Sequence, residues 1–192
     1  MDFIYCVGGC SVFGKISDKK EAMTFFEEVF AGLDEAGIHE FEFSVEDSTL
    51  RENMLELFPD KEMGSELEYS YRAGAEKIEE EPVVLKNCKI VKVDATFLKH
   101  LNETAVDGDE IIGIIMGTGR YEKYLAIDIW VKENRRREGI AAAMAKDFLV
   151  ECGERGICAQ WDCVESNIAS RRLAEGLGFQ LFKKRPYHWF GF

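Results

Sequence analysis

The chain has 192 residues, enough for one sizeable core or two small ones, and its apolar (46%) and charged (31%) fractions are those of an ordinary globular protein. A net charge of −12 argues against nucleic acid and anionic membranes as partners. No apolar run approaches bilayer length and no charged-then-apolar leader opens the chain. The six cysteines show no Cys-x-x-Cys spacing and the three histidines are scattered, so we expect a cytoplasmic protein with reduced, buried thiols and no metal site.

Residues 3–7 and 10–16 are apolar, strand-like runs around Gly8-Gly9, which predicts a hairpin. Ser17-Asp18 reads as a helix start, and Ala22, Phe26, Val29, Phe30 and Leu33 form the buried stripe of a helix ending near Gly37. Phe41, Phe43 and Val45 alternate with Glu42, Ser44 and Glu46, the period of a strand. Asp47 or Ser48 caps a short helix through Leu50, Met54, Leu55 and Leu57 that stops before Pro59. A strand is expected at 67–71 and a charged linker at 76–82, giving an N-terminal α/β half at 1–78 and a second domain at 83–192.

In the second domain the expected elements are a strand at 88–93, one short helix at 96–101, a lean interval at 102–108 and a strand at 110–116. Residues 117–122 read as a turn, with Gly117-Thr118-Gly119 supplying hairpin chemistry rather than a phosphate loop. Then come a strand at 125–131, a helix from Gly139, a strand at 159–163, a helix at 168–176 and a hairpin-like tail at 179–192. The stretch from Leu125 to Ala145 organises this half. Leu125, Ile127, Ile129 and Val131 alternate with Ala126, Asp128 and Trp130; from Ile140 the period becomes helical, through Met144, Phe148 and Cys152. Between them lies Arg136-Arg137-Glu138-Gly139-Ile140-Ala141. A helix start presents unpaired N–H groups and partial positive charge, Gly139 has no Cβ to obstruct an anion, and three arginines occupy the turn. Together these predict a diphosphate cradle.

Arg136-x-x-Gly139-x-Ala141 resembles the coenzyme A pyrophosphate signature of the GNAT superfamily of N-acetyltransferases, Gln/Arg-x-x-Gly-x-Gly/Ala. The block Trp161-Asp162-Cys163, Asn167-x-x-Ser170, Leu173-Ala174-Glu175 and Leu177-Gly178-Phe179 is similar to the second GNAT block, in the form seen in a subgroup that includes zwittermicin-type resistance acetyltransferases. The resemblance implies an α/β (α+β) GNAT fold, a mixed central sheet in which two parallel strands splay to admit the pantetheine arm. At a constant offset Ala22 aligns with Ala141, Glu35 with Glu154, Gly37-Ile38 with Gly156-Ile157 and Val45-Glu46 with Val164-Glu165, so the N-terminal half reads as a degenerate half-GNAT-like pseudo-repeat. In it Ser17-Asp18-Lys19-Lys20-Glu21-Ala22 stands where the arginine-glycine turn would be, without a glycine.

The resemblance further implies acetyl-CoA as co-substrate, a small amine as acceptor and direct attack without a covalent enzyme intermediate, with a homodimer as one option. Arg136, Arg137, Glu138, Gly139, Ile140 and Ala141 would hold the diphosphate. The main chain of Ile129, Trp130 and Val131 would polarise the thioester carbonyl, and Asn167 would meet the pantetheine while also serving as a helix cap. Asp128 is the candidate base, raised by burial, with a structural carboxylate as the alternative; Asp162 reads first as structural. The tyrosine that many relatives use as acid is replaced here by Ala174, leaving Ser170, Tyr187 or water. Cys163 as a nucleophile lacks a paired histidine. The rivals are a non-catalytic acyl-CoA-binding or regulatory module and a purely structural or dimerising α/β protein.

Overall fold

In the computed structural model the described residues are 2–6, 9–73, 85, 88, 90 and 110–192. The linker expected at 76–82, the helix at 96–101 and the interval at 102–108 lie outside them, as does the strand expected at 88–93 apart from Cys88 and Ile90. Two compact units emerge: residues 1–71, 162–172 and 181–192 form the first, residues 72–161 and 173–180 the second. Among the described residues no helix is long and apolar enough to cross a membrane.

In the first unit β1 (Asp2–Cys6) and β2 (Gly9–Phe13) form the expected hairpin, in register from Asp2↔Phe13 to Cys6↔Gly9. Helix α1 (Lys19–Glu35) starts at Asp18, whose carboxylate accepts from the Lys20 and Glu21 N–H groups at 2.8 and 3.1 Å. It crosses over to β3 (Glu40–Val45), parallel to β2. Asp47 caps α2 (Ser48–Leu57) through Leu50 N at 2.7 Å, and Leu50, Met54 and Leu57 are buried. β4 (Gly64–Ala73) follows, its last two residues belonging to the second unit. The core is aromatic: Phe26 meets Phe41 and Phe58 at centroid distances of 5.7 and 5.3 Å, and Phe58 meets Phe190 at 4.7 Å. Burying each such ring contributes about 1.5–3 kcal/mol.

The tail corrects an expectation. Instead of a hairpin it is one strand, β8 (Gln180–Gly191), which pairs antiparallel with β3 from Glu40↔Gly191 to Ser44↔Tyr187. The partner is remote in sequence, so local turn cues misread it. Pro186 lies just past the last of these pairs, where its missing N–H is not required by β3. The strand order in this unit is β1-β2-β3-β8-β4.

In the second unit β5 (Gly113–Tyr121) and β6 (Tyr124–Val131) form a hairpin closed by Glu122 and Lys123, with Glu122 at φ +51°. The turn expected at 117–122 is therefore too early. The strand runs on, with an irregularity between Gly117 and Gly119. Gly117 serves close packing instead, since a Cβ there would lie 2.7 Å from Leu125 Cδ1. Helix α3 (Ile140–Glu154) buries Ile140, Ala143, Met144, Ala145, Leu149 and Cys152. β7 (Cys158–Val164) alternates, with Ala159, Trp161 and Cys163 buried, and α4 (Ile168–Gly176) follows. Residues 162–164 and 168–172 of these two elements belong to the first unit. The second unit runs β7-β6-β5, and Trp161 packs edge-on to Phe179 at 5.4 Å.

Candidate functional site

The parallel ladder between β6 and β7 consists of Tyr124↔Cys158, Leu125↔Ala159 and Ala126↔Gln160. On its other edge β6 stays paired with β5 as far as Val131↔Gly113, and Lys132 N then donates to Ile112 O at 2.9 Å. Strand amides alternate in direction. The Trp130 N–H therefore faces β5, as that of Lys132 does, while those of Ile129 and Val131 face the edge whose ladder to β7 ends at Ala126. Of the three expected oxyanion donors, Ile129 is already engaged: its N–H donates to Asp128 Oδ1 at 2.8 Å. The Val131 N–H points to that same edge.

Beyond Val131 the backbone makes a one-turn 3-10 helix, Glu133–Arg135, then extends at Arg136 (φ −68°, ψ 155°). Arg137 adopts φ +68°, a left-handed conformation that a side chain takes only when its surroundings impose it. Gly139 is left-handed too (φ +80°, ψ 0°), and α3 begins there with no side-chain cap on its amides. The first helical bond is Ala143 N to Gly139 O at 3.0 Å. Arg136 and Arg137 are exposed, and Arg136 Nε donates to Val131 O at 3.4 Å. Arg135 behaves differently, because its guanidinium is committed to Glu138 through contacts of 2.9, 3.1 and 2.8 Å. That bond draws the Glu138 carboxyl below its usual range. The second unit thus brings Asp128, Ile129, Trp130 and Val131 onto one strand and Arg136, Arg137, Glu138, Gly139, Ile140 and Ala141 onto the turn that ends it.

Asp128 is exposed, so the buried setting expected for it from sequence is absent; its Oδ1 accepts from the Ile129 N–H. Asn167, in the first unit, caps α4 by accepting from Ser170 N at 3.1 Å through Oδ1. Ser170 also hydrogen-bonds Cys163, whose thiol burial pushes up. A thiol held protonated is a poor nucleophile. Tyr187, also in the first unit, is buried and donates its hydroxyl to Glu42. Burial first, then the Glu42 carboxylate, hold that phenol proton far above the ordinary range. Ala174, at the position of the usual acid, is 0% exposed and offers no proton.

Sequence reading missed a polar group on β4 and β8. Arg185 pairs with Glu68 and lies 3.7 Å from Asp162, which accepts from Ser70. Burial raises the Glu68 carboxyl, and Arg185 opposes the shift. Its only sequence signal was the polar alternation Glu66, Glu68, Ser70. Asp162 is thereby placed in a hydrogen-bonded, ion-paired setting in the first unit.

Residues 103–190 match the model of the GNAT acetyltransferase family. An uncharacterized N-acetyltransferase of Bacillus subtilis (strain 168), YdfB, is 34% identical over 82 residues, which is 43% of this chain and 30% of that protein. The match thus spans less than a third of that relative's length. Among solved structures, a GCN5-related N-acetyltransferase-like protein from Streptococcus suis 89/1591 superposes with a TM-score of 0.55 at 16% identity, covering 97% of this chain and 81% of that one. GCN5-related N-acetyltransferases from Sphaerobacter thermophilus (94% and 72% covered) and Kribbella flavida (91% and 76%) each give 0.52 at 14% identity.

Proposed function

We propose that this chain, which has the fold of its GNAT structural neighbours and whose residues 103–190 match the GNAT acetyltransferase family model, is an acyl-CoA-dependent N-acyltransferase acting on a small amine. The observation that carries the reading is the start of α3: a left-handed glycine, amides without a side-chain cap and two exposed arginines at the end of β6. Backbone donors at a helix start suit a diphosphate, and Arg136 and Arg137 add charge-assisted hydrogen bonds. Acetyl-CoA is the donor most in keeping with the family.

In this reading the turn fixes the nucleotide end of the donor and Val131 N–H polarises the thioester carbonyl. Asp128 removes the proton of the attacking amine; the C–N bond forms, the C–S bond breaks, and the thiolate takes a proton from water. Water is preferred because Ser170 and Tyr187 are engaged elsewhere and Ala174 has no proton to give. The acidic balance of the chain favours a cationic acceptor, and the Trp161 to Phe179 block directs attention to amine antibiotics.

Calorimetry with acetyl-CoA tests the proposal. Wild type should bind, and Arg136→Ala combined with Gly139→Glu should not; equal binding by both would sink it. A second reading, a non-catalytic acyl-CoA-binding module, is favoured by Ala174. Thiol release across a panel of amines separates the two, since a sensor binds without turnover.

A further inference from the structure

We infer that Glu138, an anion beside a proposed anion site, strengthens binding there by acting as a positioning residue through Arg135. The inference rests on reading the Gly139 turn as the diphosphate cradle. Coulomb's law alone would keep a carboxylate out of such a turn. The geometry gives it a different role. Arg135 Nε donates to both Glu138 carboxylate oxygens at 2.9 and 3.1 Å, and a second guanidinium nitrogen donates to Oε2 at 2.8 Å. This planar fork closes a loop whose two intervening residues are Arg136 and Arg137. Within that loop Arg137 takes its left-handed φ of +68°, and directly after it Gly139 takes +80°. The fork therefore holds the backbone bend that sets the direction of the first α3 amides and carries Arg136 and Arg137 on its outer side.

The same pairing changes the charge count at the turn. Arg135 and Glu138 offset each other, leaving Arg136 and Arg137 as the cations of the turn that add to the helix dipole. The pair is partly exposed, with side chains 27% and 41% accessible, so its effect is modest.

Opposite signs make this testable. Glu138→Gln removes a negative charge and, if Glu138 acted only through its charge, should tighten acetyl-CoA binding. Positioning predicts instead a loss of about two- to fivefold in affinity by calorimetry, falling on the KM for acetyl-CoA more than on kcat. Arg135→Lys keeps the charge but not the fork, and should weaken binding in the same way. The swap Arg135→Glu with Glu138→Arg should recover part of the loss. In ligand-free protein the Ala143 amide, bonded to Gly139 O at 3.0 Å, should exchange faster in Glu138→Gln than in wild type. Unchanged or tighter binding by Glu138→Gln overturns the inference. If wild type itself fails to bind acetyl-CoA, the cradle reading is what falls; Ala143 exchange unchanged by Glu138→Gln then overturns the fork's role separately.

Discussion

Helices α1 and α3 each link two parallel strands, yet they begin in opposite ways. At α1 the Asp18 carboxylate occupies two of the first amides. At α3 the capping position is Gly139 and no side chain caps the amides. The same backbone opportunity is closed in one place and left open in the other. This holds for the two units more widely. The first engages several of its polar groups internally, with Asp47 on α2, Glu42 on Tyr187 and Arg185 on Glu68. The second leaves a positive turn exposed at the end of β6. A helix start is thus not a binding site by virtue of being one; what distinguishes α3 is the missing cap and the arginines around it.

Removing that difference should have the largest effect. Gly139→Asp would give α3 a carboxylate like that of Asp18 and place a non-glycine residue at a left-handed φ, and we expect about a 100-fold loss of acetyl-CoA affinity by calorimetry. Arg136→Ala removes one charged donor and should cost about tenfold in the same measurement. The reciprocal change, Asp18→Ala, should lower unfolding stability by about 1 kcal/mol in urea titrations while leaving acetyl-CoA affinity as it was. A change in affinity there would mean that the two helix starts are not independent.

The smallest effect concerns His188. It is buried against Phe43, its ring nitrogens have no hydrogen-bond partner among the described residues, and burial holds its pKa below the ordinary 6.5. The unfolded chain therefore takes up a proton near pH 6.5 that the folded first unit resists. Stability should be insensitive to this group above that pH and should decline as pH falls below it, until the depressed folded pKa is passed. Urea titrations at several pH values, compared with His188→Phe, would show the slope and its removal.

Legibility in the sequence followed the range of the interaction. Asp18 and Asp47 were readable as caps because a cap bonds residues two or three positions away. The strand at β3 was readable because its alternating apolar residues, Phe41, Phe43 and Val45, are buried. The bend at 136–141 was readable from glycine and charge. Gly117 was misread because close packing against Leu125 and a turn both call for glycine. The tail was misread because β3, its partner, lies far upstream. Asp128 was misjudged because exposure depends on its neighbours in three dimensions. The Arg185, Glu68 and Asp162 group draws on three distant segments, so the polar alternation of β4 alone could not announce its partners.

The pairing of β8 with β3 bears on how the protein is made. Phe41, Phe43 and Phe58 leave the ribosome long before Phe190 and the strand that carries it. During that interval the growing chain holds a cluster of rings and the edge of β3 without their final partner, the kind of surface that invites association between nascent chains and binding by chaperones. The hazard closes only when residues 187–191 are free to pair with β3.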